Sequence, residues 1–135
     1  MLVDARGVPL SLVVTGANLH DCKGLQPVLA GIRIRDPRTA KAKHDHLCAD
    51  RGYDYPFARQ LVVARGYTPH IRARGEEQKA RRGRRRARRW VVEACHSWLN
   101  RFRKILVRFE KTLAGALGLL ELACAIICWR QVADV

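Results

Sequence analysis

Acidic residues are scarce in this chain. It carries 12 Asp and Glu against 26 Lys and Arg in 135 residues, a formal net charge of +14. Such an imbalance repels the compact state from itself and attracts polyanions. Nucleic acid is therefore the leading partner, ahead of an anionic membrane surface. Paired cysteines are missing too. The five cysteines are odd in number and form no C-x-x-C pair. That argues against a disulfide framework and fits free thiols in a reducing cytoplasm. The opening Met1-Leu-Val-Asp4 acquires charge at once, unlike a signal peptide. No internal repeat or linker is visible, and the length suits one domain with a modest core. One long apolar run exists, Leu113 to Trp129, with Glu121 and two glycines, Gly115 and Gly118, inside it. It sits near the lower limit for a membrane span, about 17–25 residues. A central carboxylate is costly in hydrocarbon, so a buried helix of a soluble protein is expected, with no membrane partner.

What is present is an alternation of strand and helix signals. Leu2-Val3 and Pro9 to Thr15 read as two strands around the turn Asp4-Ala-Arg-Gly7. Asp21 is expected to cap a short helix through about Ala30, with Leu25, Val28 and Leu29 on one face. Residues 33–45 read as a basic surface loop. Asp45 to Ala49 reads as a strand ending at Asp50. Gly52 gives a turn, and Asp54 is expected to cap a helix from about Tyr55 to Ala64 that Gly66 terminates. Tyr67 to Ala73 reads as a further strand, with Pro69 suggesting an edge. From about Arg86, Val91, Cys95, Trp98, Phe102, Ile105 and Phe109 recur at spacings of four and three. They predict the apolar stripe of one long helix. A last helix is expected over about Leu113 to Gln131. This order implies an α/β fold.

The chemistry centres on two acids separated by an arginine run. From Lys79 to Arg89, eight of eleven residues are Lys or Arg. Asp50 lies at a predicted strand end, where rigid scaffolds present catalytic side chains, and its carboxylate suits Mg²⁺. An alternative is that Asp50 bonds the backbone of the Arg51-Gly52 turn. Helical phase places Glu93 opposite the apolar stripe, on a face with Arg89, Ser97, Asn100, Lys104, Arg108 and Lys111. An ion pair with Arg89 is its alternative role. His44, His46, Cys48 and Asp50 alternate and would share a strand face, but ligands spaced along one strand rarely give the tetrahedral geometry zinc prefers. His20-Asp21 has no nucleophile motif beside it and reads as loop and cap. Cys124 and Cys128 read as small buried hydrophobes.

Ordered along the chain, these segments resemble the DDE transposases of bacterial insertion sequences, groups four and five. The matching pieces are Val3-Asp-Ala-Arg-Gly-Val-Pro-Leu10, the Val-Thr-Gly-Ala-Asn-Leu-His-Asp stretch ending at Asp21, Ala49-Asp-Arg-Gly-Tyr-Asp54 and Arg89-Trp-Val-Val-Glu93. His96-Ser-Trp-Leu-Asn-Arg-Phe-Arg-Lys104, Arg108-Phe-Glu-Lys111 and the closing Ala-Ile-Ile-Cys-Trp-Arg130 follow. The resemblance implies an RNase H-like mixed sheet flanked by helices, incomplete at the N-terminus and ending in two long helices, as one truncated catalytic domain over residues 1–135. It implies that Asp50 and Glu93 are the second and third catalytic acids and Mg²⁺ ligands, within a two-metal site for DNA cleavage and strand transfer. DNA would be held by Arg81, Arg82, Arg84, Arg85, Arg86, Arg88, Arg89, Arg101 and Lys104.

The chain departs from that pattern in places. Asn100 stands where a basic residue often follows the Glu by seven positions, and Ala94-Cys95 where Arg-Thr is expected. The family's first catalytic Asp lies on a strand ahead of the hairpin that begins here at Leu2, and neither Asp4 nor Asp21 replaces it. The expectation is therefore a catalytically incomplete, transposase-derived protein, decayed or completed by the upstream half of a split transposase. A sheet lacking that strand would expose its neighbour and favour a homo-oligomer. The alternative is a basic nucleic-acid-binding fragment without a catalytic role.

Overall fold

The structure, a computed structural model, describes residues 1–33, 45–71 and 90–133. It is a mixed α/β arrangement that divides into two compact units, Met1–Val14 with Trp90–Val135, and Thr15–Arg89.

The first unit opens with an antiparallel hairpin of β1 (Leu2–Val3) and β2 (Pro9–Ser11). Its turn is built by Asp4, whose Oδ1 accepts from the amides of Arg6 at 2.8 Å and Val8 at 2.9 Å. Gly7 closes the turn at φ +91°, donating its amide to the Asp4 carbonyl. A Cβ at Gly7 would meet the Val91 carbonyl oxygen at 3.1 Å and the Trp98 ring at 3.4 Å, so glycine is required for both conformation and space. The second strand ends at Ser11, earlier than the sequence pattern suggests.

Three helices complete this unit: α3 (Trp90–Leu99), α4 (Arg103–Leu106) and α5 (Leu113–Ala133). The single long helix expected from the apolar stripe is broken in two. Asn100 and Phe102 donate amides to His96 and Leu99, closing the last turn of α3, and Phe102 then adopts extended backbone (φ −86°, ψ 101°). Periodicity survives the break because Phe102 and Ile105 still pack on the same core of Cys95, Leu99, Ala123, Cys124 and Ile127. Phe109 leaves the stripe and is 71% exposed. Instead of two long C-terminal helices there is one, α5, preceded by two shorter ones. α5 is long and apolar enough to cross a membrane by length and composition. The expectation of a buried helix holds for one stripe of it; Leu122, Trp129 and Val132 are exposed.

The second unit begins with a 3₁₀ turn over Asp21–Gly24 leading into α1 (Leu25–Ala30). Leu25, Val28 and Leu29 are buried, as their spacing predicts. The cap is His20 rather than Asp21: its Nδ1 accepts from the Cys22 amide at 3.3 Å. Then come β3 (Asp45–Ala49), a 3₁₀ turn over Arg51–Tyr53, α2 (Pro56–Ala64) and β4 (Tyr67–Ile71). The strands β3 and β4 pair in parallel, Asp45 with Tyr67 through Ala49 with Ile71. Leu47, Ala58, Val62 and Ile71 are buried, and α2 packs against β4. Asp54 does not cap α2; Tyr55 holds that position, and Asp54 accepts from Arg59 Nη2 at 2.7 Å. The same nitrogen donates to the Ile71 carbonyl at 2.7 Å, tying α2 to the end of β4. Gly66 ends the helix at φ +85° as expected. The expected basic loop lies largely outside the described residues.

Replacing Gly7 with Ala should destabilise the chain by at least about 1 kcal/mol, read as a lowered midpoint in thermal or urea unfolding. The thiols give a second expectation. Burial foremost, then the neighbouring Cys95, Cys128 and Glu121, pushes the Cys124 thiol up from 9.0 to about 11. The folded state thus holds that proton more tightly than the unfolded chain does. Its stabilising contribution should be complete below pH ~9 and fade as pH rises through about 11. In alkylation by iodoacetamide near neutral pH, exposed Cys48 should react well before buried Cys124, as read by mass spectrometry.

Candidate functional site

Asp50 stands directly after β3 with extended backbone (φ −76°, ψ 177°) and caps the Arg51–Tyr53 turn. Its Oδ1 accepts from the Gly52 amide at 2.9 Å. This is the backbone bond that the sequence left open as an alternative, and it orients the carboxylate. The residue is solvent-exposed, at the C-terminal end of a parallel strand. In open α/β sheets such ends border ligand crevices. A second tie holds the turn from the other side. The Cys22 thiol donates to the Gly52 carbonyl at 2.8 Å, joining the 3₁₀ segment of Asp21–Gly24 to the Asp50 turn. Cys22 is buried, and burial, followed by the charges of Asp21 and then Asp50, pushes its thiol up. Tyr53 is pushed up by the same causes in the same order. Neither group supplies a ready anion or base near neutral pH.

Glu93 lies in the first turn of α3 and is exposed. Among the described residues it has no hydrogen bond or ion pair. A carboxylate in a first helical turn is favoured by the helix dipole. The continuous basic face expected around it is shortened by the break after Leu99. Ser97 remains on α3. Lys104 belongs to α4, and Arg108 and Lys111 follow α4, with Arg108 Nε donating to the Glu110 carbonyl at 3.1 Å. Arg101 is exposed in the turn after α3, and Lys104 is exposed on α4. The remaining DNA-binding candidates, Arg81, Arg82, Arg84, Arg85, Arg86, Arg88 and Arg89, lie outside the described residues.

Asp50 and Glu93 offer hard carboxylate oxygens and are open to solvent, the donor chemistry Mg²⁺ takes. They fall in different compact units. Among the described residues, no three His, Cys, Asp or Glu side chains gather as a metal-binding group. His20 packs edge-on against Tyr55, with ring centroids 5.7 Å apart, consistent with a cap rather than a catalytic base.

One residue escaped the sequence reading. His70 on β4 meets His46 on β3, His46 Nδ1 lying 2.7 Å from His70 Nε2. Alternation within each strand was legible, but the pairing that sets His70 opposite Cys48 was not.

Comparison with known proteins supports the family resemblance. The model of the family described as "Transposase DDE domain" matches residues 1–128. A protein of Burkholderia cepacia, named as the transposase for insertion sequence element IS402, is 37% identical over 134 residues, covering 98% of this chain and 62% of that protein. The chain thus spans under two thirds of that relative's length. A protein of Brucella ovis, named as the transposase for insertion sequence element IS6501, is 31% identical over 133 residues, covering 96% of this chain and 95% of that protein. No solved structure matches the chain significantly. With nearly all of its length matched, from the hairpin through most of α5, the chain belongs to the transposase DDE-domain family.

Proposed function

We propose that this chain is a transposase-derived protein acting in DNA transposition, on an RNase H-like scaffold, with Asp50 and Glu93 as two of the acids that hold Mg²⁺ at a phosphodiester. The observation that carries the reading is the place of Asp50. It is an exposed carboxylate, oriented by the Gly52 amide, at the C-terminal end of the parallel strand β3, inside the matched family region. When bound, Mg²⁺ supplies charge neutralisation at the attacking and leaving oxygens of an in-line displacement.

The residues of this chain would divide the remaining work. Asp50 and Glu93 orient the cation through oxygen donors. The arginine run, with Arg101 and Lys104, grips the DNA backbone and neutralises phosphates. The protein's share is therefore mostly positioning and electrostatics. Asp50 and Glu93 are two of a family triad, and no third acid of this chain is assigned to it. Strand cleavage then depends on an acid supplied with an upstream segment, from a longer polypeptide or in trans.

The bond between Asp50 and the Gly52 amide favours a second reading, in which the acids are structural and the chain only binds nucleic acid. A cleavage assay on linear DNA with Mg²⁺ separates the two. The chain alone should leave the DNA intact. Supplied with the upstream part of a full-length relative's catalytic domain, it should cut, and Asp50→Asn or Glu93→Gln should each lower cutting by at least about a hundredfold. Intact cutting in either variant would exclude that residue's catalytic role. Duplex binding should weaken steeply with salt, log K falling with log[salt] at a slope of about −0.9 per phosphate neutralised. Removing Arg84 and Arg85 together should flatten that slope by roughly two such contacts, as read by fluorescence anisotropy.

A further inference from the structure

We propose that His46 and His70 form a two-imidazole chelate for a borderline divalent transition metal, of the Zn²⁺ or Ni²⁺ type, on the exposed face of the β3–β4 pair. The site is distinct in chemistry from the carboxylates that suit Mg²⁺ and does not depend on the transposition reading.

The strand pairing builds the site. In the parallel register His46 faces Thr68 and Cys48 faces His70, so His46 and His70 are diagonal neighbours on one side of the pair. Their nitrogens Nδ1 and Nε2 converge to 2.7 Å, and the ring centroids lie 4.8 Å apart at a 45° tilt. Without metal, one ring donates an N–H hydrogen bond to the other's lone pair. To bind a metal, the donating ring passes that proton through solvent to its other nitrogen, so that both lone pairs face the cation; little further movement is needed. At a Zn–N length of about 2.0–2.1 Å and a tetrahedral angle, the nitrogens would part to roughly 3.3 Å. Both rings are exposed and can turn that far without disturbing the core.

The backbone beneath them is fixed. Leu47, between His46 and Cys48, and Ile71, next to His70, are 5% and 6% exposed. Such flanking anchors hold the strands in register, so the chelate is largely prepaid in conformational entropy. Imidazole nitrogen suits Zn²⁺, Ni²⁺ and Cu²⁺ and is a poor donor for Mg²⁺. The open face leaves the remaining coordination positions to water. Cys48 is a free, exposed thiol on the same face by strand alternation, close enough in register to need separate control.

Titration of the full chain with ZnCl₂ and with NiCl₂ by calorimetry tests this, alongside His46→Ala, His70→Ala, His96→Ala and Cys48→Ser. One equivalent should bind, excess Mg²⁺ should not displace it, and the melting temperature should rise with metal concentration. Each of His46→Ala and His70→Ala should weaken binding by more than about tenfold, the loss typical even of outer-shell partners. His96→Ala and Cys48→Ser should bind as the parent does. In the parent chain, the imidazole C–H resonances of His46 and His70 should shift together on adding Zn²⁺, which guards against misfolded variants. Absence of binding, retention by either His variant, loss in His96→Ala or Cys48→Ser, or a shift of only one imidazole would overturn the proposal.

Discussion

The register of β3 against β4 is the constraint on which the second unit depends. Leu47 and Ile71 face the interior, and the pairing of Ala49 with Ile71 finishes the ladder one residue before Asp50. A slip of one position would carry Leu47 to solvent and bring His46 and Cys48 inward, because side chains alternate with a period of two. Register therefore decides three things together: where the strand ends, which turn Asp50 caps, and which histidines meet. The Arg59 guanidinium, bonded to both Asp54 and the Ile71 carbonyl, locks the helix between the strands to that same register.

The hairpin unit obeys a different constraint. Its core is made by small and sulfur-bearing side chains, Cys95, Ala123 and Cys124, with Leu99 and Ile127 around them. Small residues let α3 and α5 approach closely, and the Cys128 thiol donates to the Pro9 carbonyl at 3.6 Å, tying the long helix to the hairpin. Burial keeps these thiols protonated, so they act as packing groups rather than nucleophiles. Glu93 is exposed in the first turn of α3 and, among the described residues, takes no part in this packing.

Much of this was legible in the sequence because it rests on local rules. Asp4 and Gly7 announce their turn, Gly66 its helix end, and Leu25, Val28 and Leu29 their buried face. The strand Asp45–Ala49 and the family itself followed from short motifs in order. The misses arise where two local options compete or where distant residues decide. His20 took the cap that Asp21 was expected to hold, and Tyr55 took the helix start expected of Asp54, which accepts from Arg59. The helix break at Phe102 hid behind an apolar period that both segments share, since packing on one core preserves spacing across a bend. His70 had no signal of its own; only strand pairing gives it a partner.

The proposed sharing of one divalent cation by Asp50 and Glu93 is open to a direct test. Mn²⁺, a paramagnetic stand-in for Mg²⁺, broadens amide resonances near its site. Titrated into the isotopically labelled chain, it should broaden the amides of Gly52 and Ala94 at the same concentrations, and Asp50→Ala should relieve both. Broadening at Gly52 with Ala94 untouched, or at Ala94 undiminished by Asp50→Ala, would contradict a shared cation.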